Sequence, residues 1–188
     1  MKGIFIVIDG TDGAGKKTQS QKLLERLESE GYITAVADFP QYGQKSAGMV
    51  ENYLNGKYGN AASVDPRIAS VFYAVDRYDA SFDIRKSLEE GKVLISNRYV
   101  SANMGHQAGK IADPAKRKQM IEWLKDLEYG LFKLPVPDLT IILYVEPKIA
   151  QQLVDRKAAR EYIGGKKRDI HERSLRHLIA AAESYKEI

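Results

Sequence analysis

The stretch Ile4-Phe5-Ile6-Val7-Ile8-Asp9-Gly10-Thr11-Asp12-Gly13-Ala14-Gly15-Lys16-Lys17-Thr18 decides how the rest of this chain is read. Its first five residues are apolar and rich in β-branching, the pattern of a strand buried on both faces. Gly10 to Lys16 then fits the first seven positions of G-x-x-x-x-G-K-[ST]. From Thr18 to Glu30 the residues Leu23, Leu24 and Leu27 have helical spacing, and Gly31 supplies a stop. Strand, glycines, lysine and helix therefore stand in the order a phosphate-binding loop requires. Glycines let backbone N–H groups wrap phosphate oxygens, and the start of a helix adds its dipole. Lys16 is expected on the β- and γ-phosphates, and the whole run Gly10, Thr11, Asp12, Gly13, Ala14, Gly15, Lys16, Lys17 and Thr18 is the expected nucleotide-binding loop.

The eighth position departs from the pattern. Lys17 stands where a Ser or Thr hydroxyl usually ligates Mg²⁺, and an ammonium has no lone pair to give a metal. Either the metal is held through waters and other oxygens, or Lys17 supplies some of the positive charge itself. Thr18 follows, with a hydroxyl that can reach a phosphate.

Outward from the loop, apolar runs alternate with amphipathic stretches. Ile33 to Val36, Val93 to Ile95 and Leu139 to Val145 read as further strands, the last the most strongly apolar. Asp65-Pro66 and Asp113-Pro114 each offer an N-cap followed by proline at the first helical position. The second of these helices carries Met120, Ile121, Leu124 and Leu127. Pro147 opens another helix, a last one spans about Asp169 to Tyr185, and a short one is expected around Met49 to Leu54. This βα rhythm predicts an α/β fold with a central parallel sheet between two layers of helices.

With 188 residues, 44% hydrophobic and 29% charged, the chain suits one globular domain spanning residues 1–188. No apolar run has the roughly 20 residues that a membrane helix needs. There is no cysteine, which excludes disulfides and thiolate metal sites and makes a reducing cytoplasm the simplest home. The formal net charge of +4 is compatible with nucleic acid or with a phosphorylated small molecule. No interleaved aromatic and basic pattern points to single-strand binding, so nucleic acid is not the expected partner.

Further motifs narrow the reading. They are Gln19 after the loop, Phe39-Pro40-Gln41-Tyr42, Asp76-Arg77, Asn97-Arg98-Tyr99 with Asn103 and Gln107, and Pro137-Asp138-Leu139. Together, in this order and over nearly the whole chain, they resemble the thymidylate kinases, a family of P-loop nucleoside-monophosphate kinases. The resemblance implies a three-layer α/β/α sandwich and transfer of the ATP γ-phosphoryl group to dTMP for dTTP synthesis, with Mg²⁺ as cofactor. It also implies a homodimer. Family members continue past the Tyr185-like position into a fifth strand and a terminal helix, whereas this sequence ends at Ile188, so the last strand is expected to be absent.

The resemblance also assigns roles. Asp12 matches the acidic loop residue that meets the sugar of the monophosphate and shares a metal ion with the phosphate; an Asx turn that merely shapes the loop is the alternative. Tyr73 and Arg77, four apart on a predicted helix, match the aromatic that stacks on thymine and the arginine that binds a base carbonyl. Arg98 matches the arginine that grips the acceptor phosphate, a task suited to its bidentate donors. Asn103 and Gln107 match positions facing the base. His106 sits where tyrosine is common and is read as pocket lining, and Tyr42 matches a position near the acceptor phosphate.

Two departures matter. Asn97 replaces the usual aspartate before Arg-Tyr, removing a negative charge. Gly13 stands where some members place a catalytic arginine. That arginine is then expected from a basic lid at about residues 156–168, where Arg156 and Arg160 lie four apart and Lys166, Lys167 and Arg168 follow. Lys16, Arg98, Arg156 and Arg160 are thus the expected catalytic residues. Asp169 and Glu172 lie next, as acids near the acceptor or as a helix cap. The rival functions are a kinase for another nucleoside monophosphate or a deoxynucleoside, and a nucleotide-binding module with impaired catalysis.

Overall fold

The computed structural model describes residues 2–60, 63–155 and 175–188. Among the described residues four parallel strands form one sheet: β1 (Ile4–Gly10), β2 (Thr34–Asp38), β3 (Val93–Asn97) and β4 (Leu139–Leu143), in the order β2-β3-β1-β4. Pairing joins Ile8 to Asn97 across β1 and β3, and Asp38 to Asn97 across β2 and β3. The carboxyl ends of β1 and β3 therefore finish side by side, where open α/β sheets place their ligands.

Side chains alternate across each strand. Phe5, Val7 and Leu94 point to one face, where they meet Ala80 and Ile84 of α3 (Pro66–Glu89) and Met120, Ile121 and Leu124 of α5 (Pro114–Lys125). Val36, Asp38, Ile95 and Asn97 point to the other, toward Ser20 and Leu24 of α1 (Lys16–Ser29). This alternation makes the three layers. The other α-helices among the described residues are α2 (Gly48–Leu54), α4 (Val100–His106), α6 (Pro147–Asp155) and α7 (Leu175–Tyr185), with a π-helical turn at Asp126–Leu131 after α5.

The helix starts follow the expected chemistry. The Asp65 carboxylate accepts from the Arg67 N–H and that of Asp113 from the Lys116 N–H, each with proline beginning the helix. Gly31, which closes α1, has φ +86°.

β1 is buried from Phe5 onward apart from a half-buried Ile6, as its apolar run predicts, and burial differs between the strands. The most apolar of them, β4, is an outer strand of the sheet, and Leu139 is 50% exposed. Ile4 at the start of β1 is 47% exposed, although Phe5 and Val7 are fully buried. Position in the sheet, not apolar content, decides how many faces are covered. Among the described residues no helix is long and apolar enough to cross a membrane.

Candidate functional site

The loop between β1 and α1 is held from below. Asp9, the penultimate residue of β1, is fully buried. Its Oδ1 accepts from the Gly10 N–H at 2.8 Å and from the Tyr185 hydroxyl at 2.8 Å, and its Oδ2 accepts from Ser101 Oγ at 2.6 Å. One carboxylate thus ties the loop to α4 and α7. Gly13 adopts φ +86°, and a Cβ there would stand 2.3 Å from the Ala150 carbonyl oxygen. Only glycine fits this turn of the loop against α6.

Lys16 begins α1 and is 7% exposed. Its ammonium donates to the carbonyl oxygens of Gly10 at 3.0 Å and Thr11 at 2.7 Å, and lies 3.9 Å from Asp12 Oδ1. Lys17 and Thr18, the next two residues of the helix, are exposed. Lys17 borders a cleft of about 90 Å³ together with Ser20, Asp38 and Asn97. Asn97 Nδ2 donates to Asp38 Oδ1 at 2.7 Å. Burial raises the Asp38 pKa, opposed by the Asn97 hydrogen bond and the charge of Lys17. A carboxylate therefore stands on the neighbouring strand, in register with Asn97.

Arg98 follows β3 with φ +67°, a left-handed conformation that is uncommon for a side chain of this size and costs about 1–3 kcal/mol. The Arg98 N–H donates to Ile8 O at 3.0 Å and Ser96 Oγ donates to Arg98 O at 2.6 Å, which holds the turn. The strained backbone sends the guanidinium toward the loop. Nη2 donates to Asp12 Oδ1, and Nη1 donates to His106 Nε2 at 3.0 Å. Burial works against the Arg98 charge, yet Asp12 raises its pKa well above the ordinary value, helped by Tyr185 and Asp9. Arg98, Asp12, Lys16 and His106 are thereby brought to one place. Tyr42 is 38% exposed and feels the Arg98 charge.

A second cluster lies deeper. Arg77 is 1% exposed and bidentate to Glu128, with Nε–Oε2 at 2.5 Å and Nη2–Oε1 at 2.7 Å. Asn103 Nδ2 donates to Glu128 Oε1 at 2.8 Å and to Ser70 O at 3.1 Å. Two donors of Arg77 are therefore committed inside the protein, to a carboxylate for which the sequence offered no signal. Gln107 is 1% exposed, and its Oε1 is buried with no partner among the described residues. Tyr73 is half-buried on α3, edge-on to Tyr53 with ring centroids 6.3 Å apart. Asp76 receives the Gln41 N–H at 2.9 Å and Ser46 Oγ at 2.7 Å, which fixes the Phe39-Pro40-Gln41-Tyr42 segment beside α3.

The family model described as thymidylate kinase matches residues 8–188, and so contains every residue of both clusters. This chain belongs to the thymidylate kinase family. A thymidylate kinase of Mycobacterium tuberculosis is 33% identical to it over 171 residues, covering 90% of this chain and 78% of that protein. One from Clavibacter sepedonicus is 31% identical, covering 97% and 84%. A solved thymidylate kinase structure from Candida albicans matches the whole chain with TM-score 0.75 and covers 78% of that structure. At 22% identity that last likeness concerns the fold.

Within this family member, the expected residues separate into groups. Asp12, Lys16, Arg98 and His106 converge at the loop, while Arg77 and Asn103 converge on Glu128. Arg156, Arg160, Lys166, Lys167, Arg168, Asp169 and Glu172 lie outside the described residues. Sequence reasoning missed Asp9, Glu128, His177 and Tyr185. Asp9 had a signal, a charged residue ending an otherwise apolar strand just before the loop glycine. Glu128 had none, since a single acid in a helical stretch ordinarily faces water.

Proposed function

We propose that this chain transfers the γ-phosphoryl group of ATP to dTMP, giving dTDP. The observation that carries the reading is the convergence of Arg98, Asp12 and Lys16 at the carboxyl ends of β1 and β3. It is supported by family membership across residues 8–188.

In this reading the loop N–H groups and the start of α1 receive the ATP phosphates. Lys16, which now caps two loop carbonyls, rotates onto the phosphate oxygens and follows charge as the group transfers. Arg98 exchanges the Asp12 carboxylate for the acceptor phosphate, and Asp12 then accepts from the sugar hydroxyl. Catalysis of this type rests on positioning and charge neutralisation. The deeper cluster suits the base. Asn103 spends its Nδ2 on Ser70 and Glu128, which leaves Oδ1 as an acceptor, and Arg77 beside it offers donors. A base with an N–H next to a carbonyl oxygen complements this pair, as in thymine and uracil; cytosine presents the opposite pattern. Tyr73 stacks on the base, and Gln107 Oε1 lines its pocket. Arg156 and Arg160 bring positive charge from the lid.

Mg²⁺ fits this site in one way. Among the described residues no three His, Cys, Asp or Glu side chains could hold an ion together. Lys17 replaces the loop hydroxyl. A Mg²⁺ carried by the nucleotide keeps several waters and needs only one or two protein carboxylates, and Asp12 is the carboxylate in the loop. When bound, the ion would offset phosphate charge. The single domain 1–188, a cytoplasmic setting and a homodimer complete the proposal.

A coupled assay with dTMP, dUMP, dCMP, dGMP and thymidine tests it. Turnover is expected with dTMP first and dUMP second. Phosphorylation of thymidine without phosphorylation of dTMP would sink the reading.

A further inference from the structure

His106 and His177 are 71 positions apart in sequence, yet their rings stack with centroids 5.6 Å apart and planes 23° from parallel. His106 ends α4 and His177 lies in the first turn of α7. Their exposures are 6% and 8%. Tyr185 closes the other side of His106, edge-on at 5.7 Å. A buried imidazole with two polar nitrogens must spend both, and the contacts of His106 fix how.

Arginine has five N–H donors and no acceptor, and it does not deprotonate. The 3.0 Å contact between Arg98 Nη1 and His106 Nε2 therefore requires a bare lone pair on Nε2. The proton of neutral His106 then sits on Nδ1 and points at His177 Nε2, 3.4 Å away. His177 Nε2 is the acceptor, so its own proton sits on Nδ1. Donors run in one direction, from Arg98 through His106 to His177.

We infer that His106, in its Nδ1–H tautomer, is a positioning residue that fixes the plane of the Arg98 guanidinium for the acceptor phosphate, and that His177 fixes His106. The inference rests on the reading of Arg98 as the phosphate-binding arginine. Its logic is electrostatic. Asp12 holds Nη2, but a phosphate competes for that donor and Asp12 also cancels the Arg98 charge. A neutral imidazole on Nη1 keeps the fork in place when Asp12 lets go, and cancels nothing. A carboxylate at position 106 would neutralise the arginine, and an apolar ring would leave Nη1 unheld.

The surroundings keep the imidazole neutral. Burial holds His106 well below its ordinary pKa; Asp12 opposes this, and Arg98, His177 and Lys16 reinforce it. Burial also pushes His177 down to about 4, with Lys110 adding to the shift and Asp12 opposing it.

The test uses the full chain with His106→Phe, His106→Gln and His177→Phe, alongside ¹⁵N-histidine NMR of the wild type. His106→Phe is expected to lower kcat/KM for dTMP about 10- to 100-fold, because a misplaced guanidinium costs rate on this scale. KM for ATP should stay within about twofold, and His106→Gln, which keeps an acceptor, should return to within about fivefold of wild type. His177→Phe should give a smaller loss of the same kind. The wild-type His106 resonances should report a neutral ring protonated on Nδ1. Equal impairment by Phe and Gln, a near wild-type His106→Phe, or a ring protonated on Nε2 would each overturn the inference. A wild-type chain that does not turn over dTMP would overturn the functional reading instead, and the tautomer would still be decided by NMR. If His106→Phe fails to fold, the tautomer and His106→Gln carry the test.

Discussion

The phenolic hydroxyl of Tyr185 donates to Oδ1 of Asp9 at 2.8 Å, joining residues 176 apart in the chain. The bond ends α7 on the buried carboxylate beneath the phosphate loop, and no route through local structure connects the two. Tyr185→Phe keeps the ring against α4 and removes only the donor. A hydrogen bond to a charged group contributes about 1.5–3 kcal/mol, so the variant should unfold at lower urea by that free energy. An unchanged midpoint would show that the bond contributes nothing.

The Arg77–Glu128 pair makes an opposite pair of predictions. Both side chains are within 1% of full burial. Glu128→Ala leaves the guanidinium charge buried and unpaired, which costs about 3–5 kcal/mol. Replacing both partners, as Arg77→Met with Glu128→Leu, should recover most of that stability while abolishing preference for dTMP. Chemical denaturation of the single and double variants checks the first half, and the nucleotide panel checks the second.

His177 gives stability a pH dependence. Its folded pKa is near 4 against 6.5 for the free side chain, so the unfolded chain takes up the proton first. Its contribution is fully present above about pH 6.5 and is lost as pH falls toward 4. A shift of this size corresponds to about 3 kcal/mol. Urea unfolding between pH 4 and pH 8 should show the loss, and His177→Gln should reduce the slope to the part contributed by His106, which is also held below its ordinary value. Equal slopes in the two proteins would exclude His177 as the source.

In the proposed reaction, Lys16→Met and Arg98→Ala would each remove positive charge that the moving phosphoryl group requires. Each should reduce turnover of dTMP by about 10²–10³ or more. Loss of the Lys16 ammonium should also weaken ATP binding. The Arg98 variant should weaken dTMP binding and leave ATP binding near the wild-type value. Rates close to wild type would refute the roles.

Much of the fold was legible because it is encoded locally. Ile4 to Ile8, Val93 to Ile95 and the Asp-Pro helix starts each carry their own signal, and the structure realises them at Ile4–Gly10, Val93–Asn97, Pro66–Glu89 and Pro114–Lys125. The loop was legible for the same reason, since glycine spacing and Lys16 lie within a few residues of one another. The burial of β4 was not, because its apolar content says nothing of its place at the outside of the sheet.

The sequence by itself determined that a phosphate loop follows the first strand of a parallel α/β sheet, and that Arg98 follows the third strand; that the third strand lies beside the first came from the tertiary structure. Tertiary structure alone decided what holds those residues. Glu128 comes to Arg77 from 51 positions away, His177 to His106 from 71, and Tyr185 to Asp9 from 176. Periodicity and spacing report the local backbone, whereas a buried polar group takes whichever partner the packing of distant elements brings within hydrogen-bonding distance.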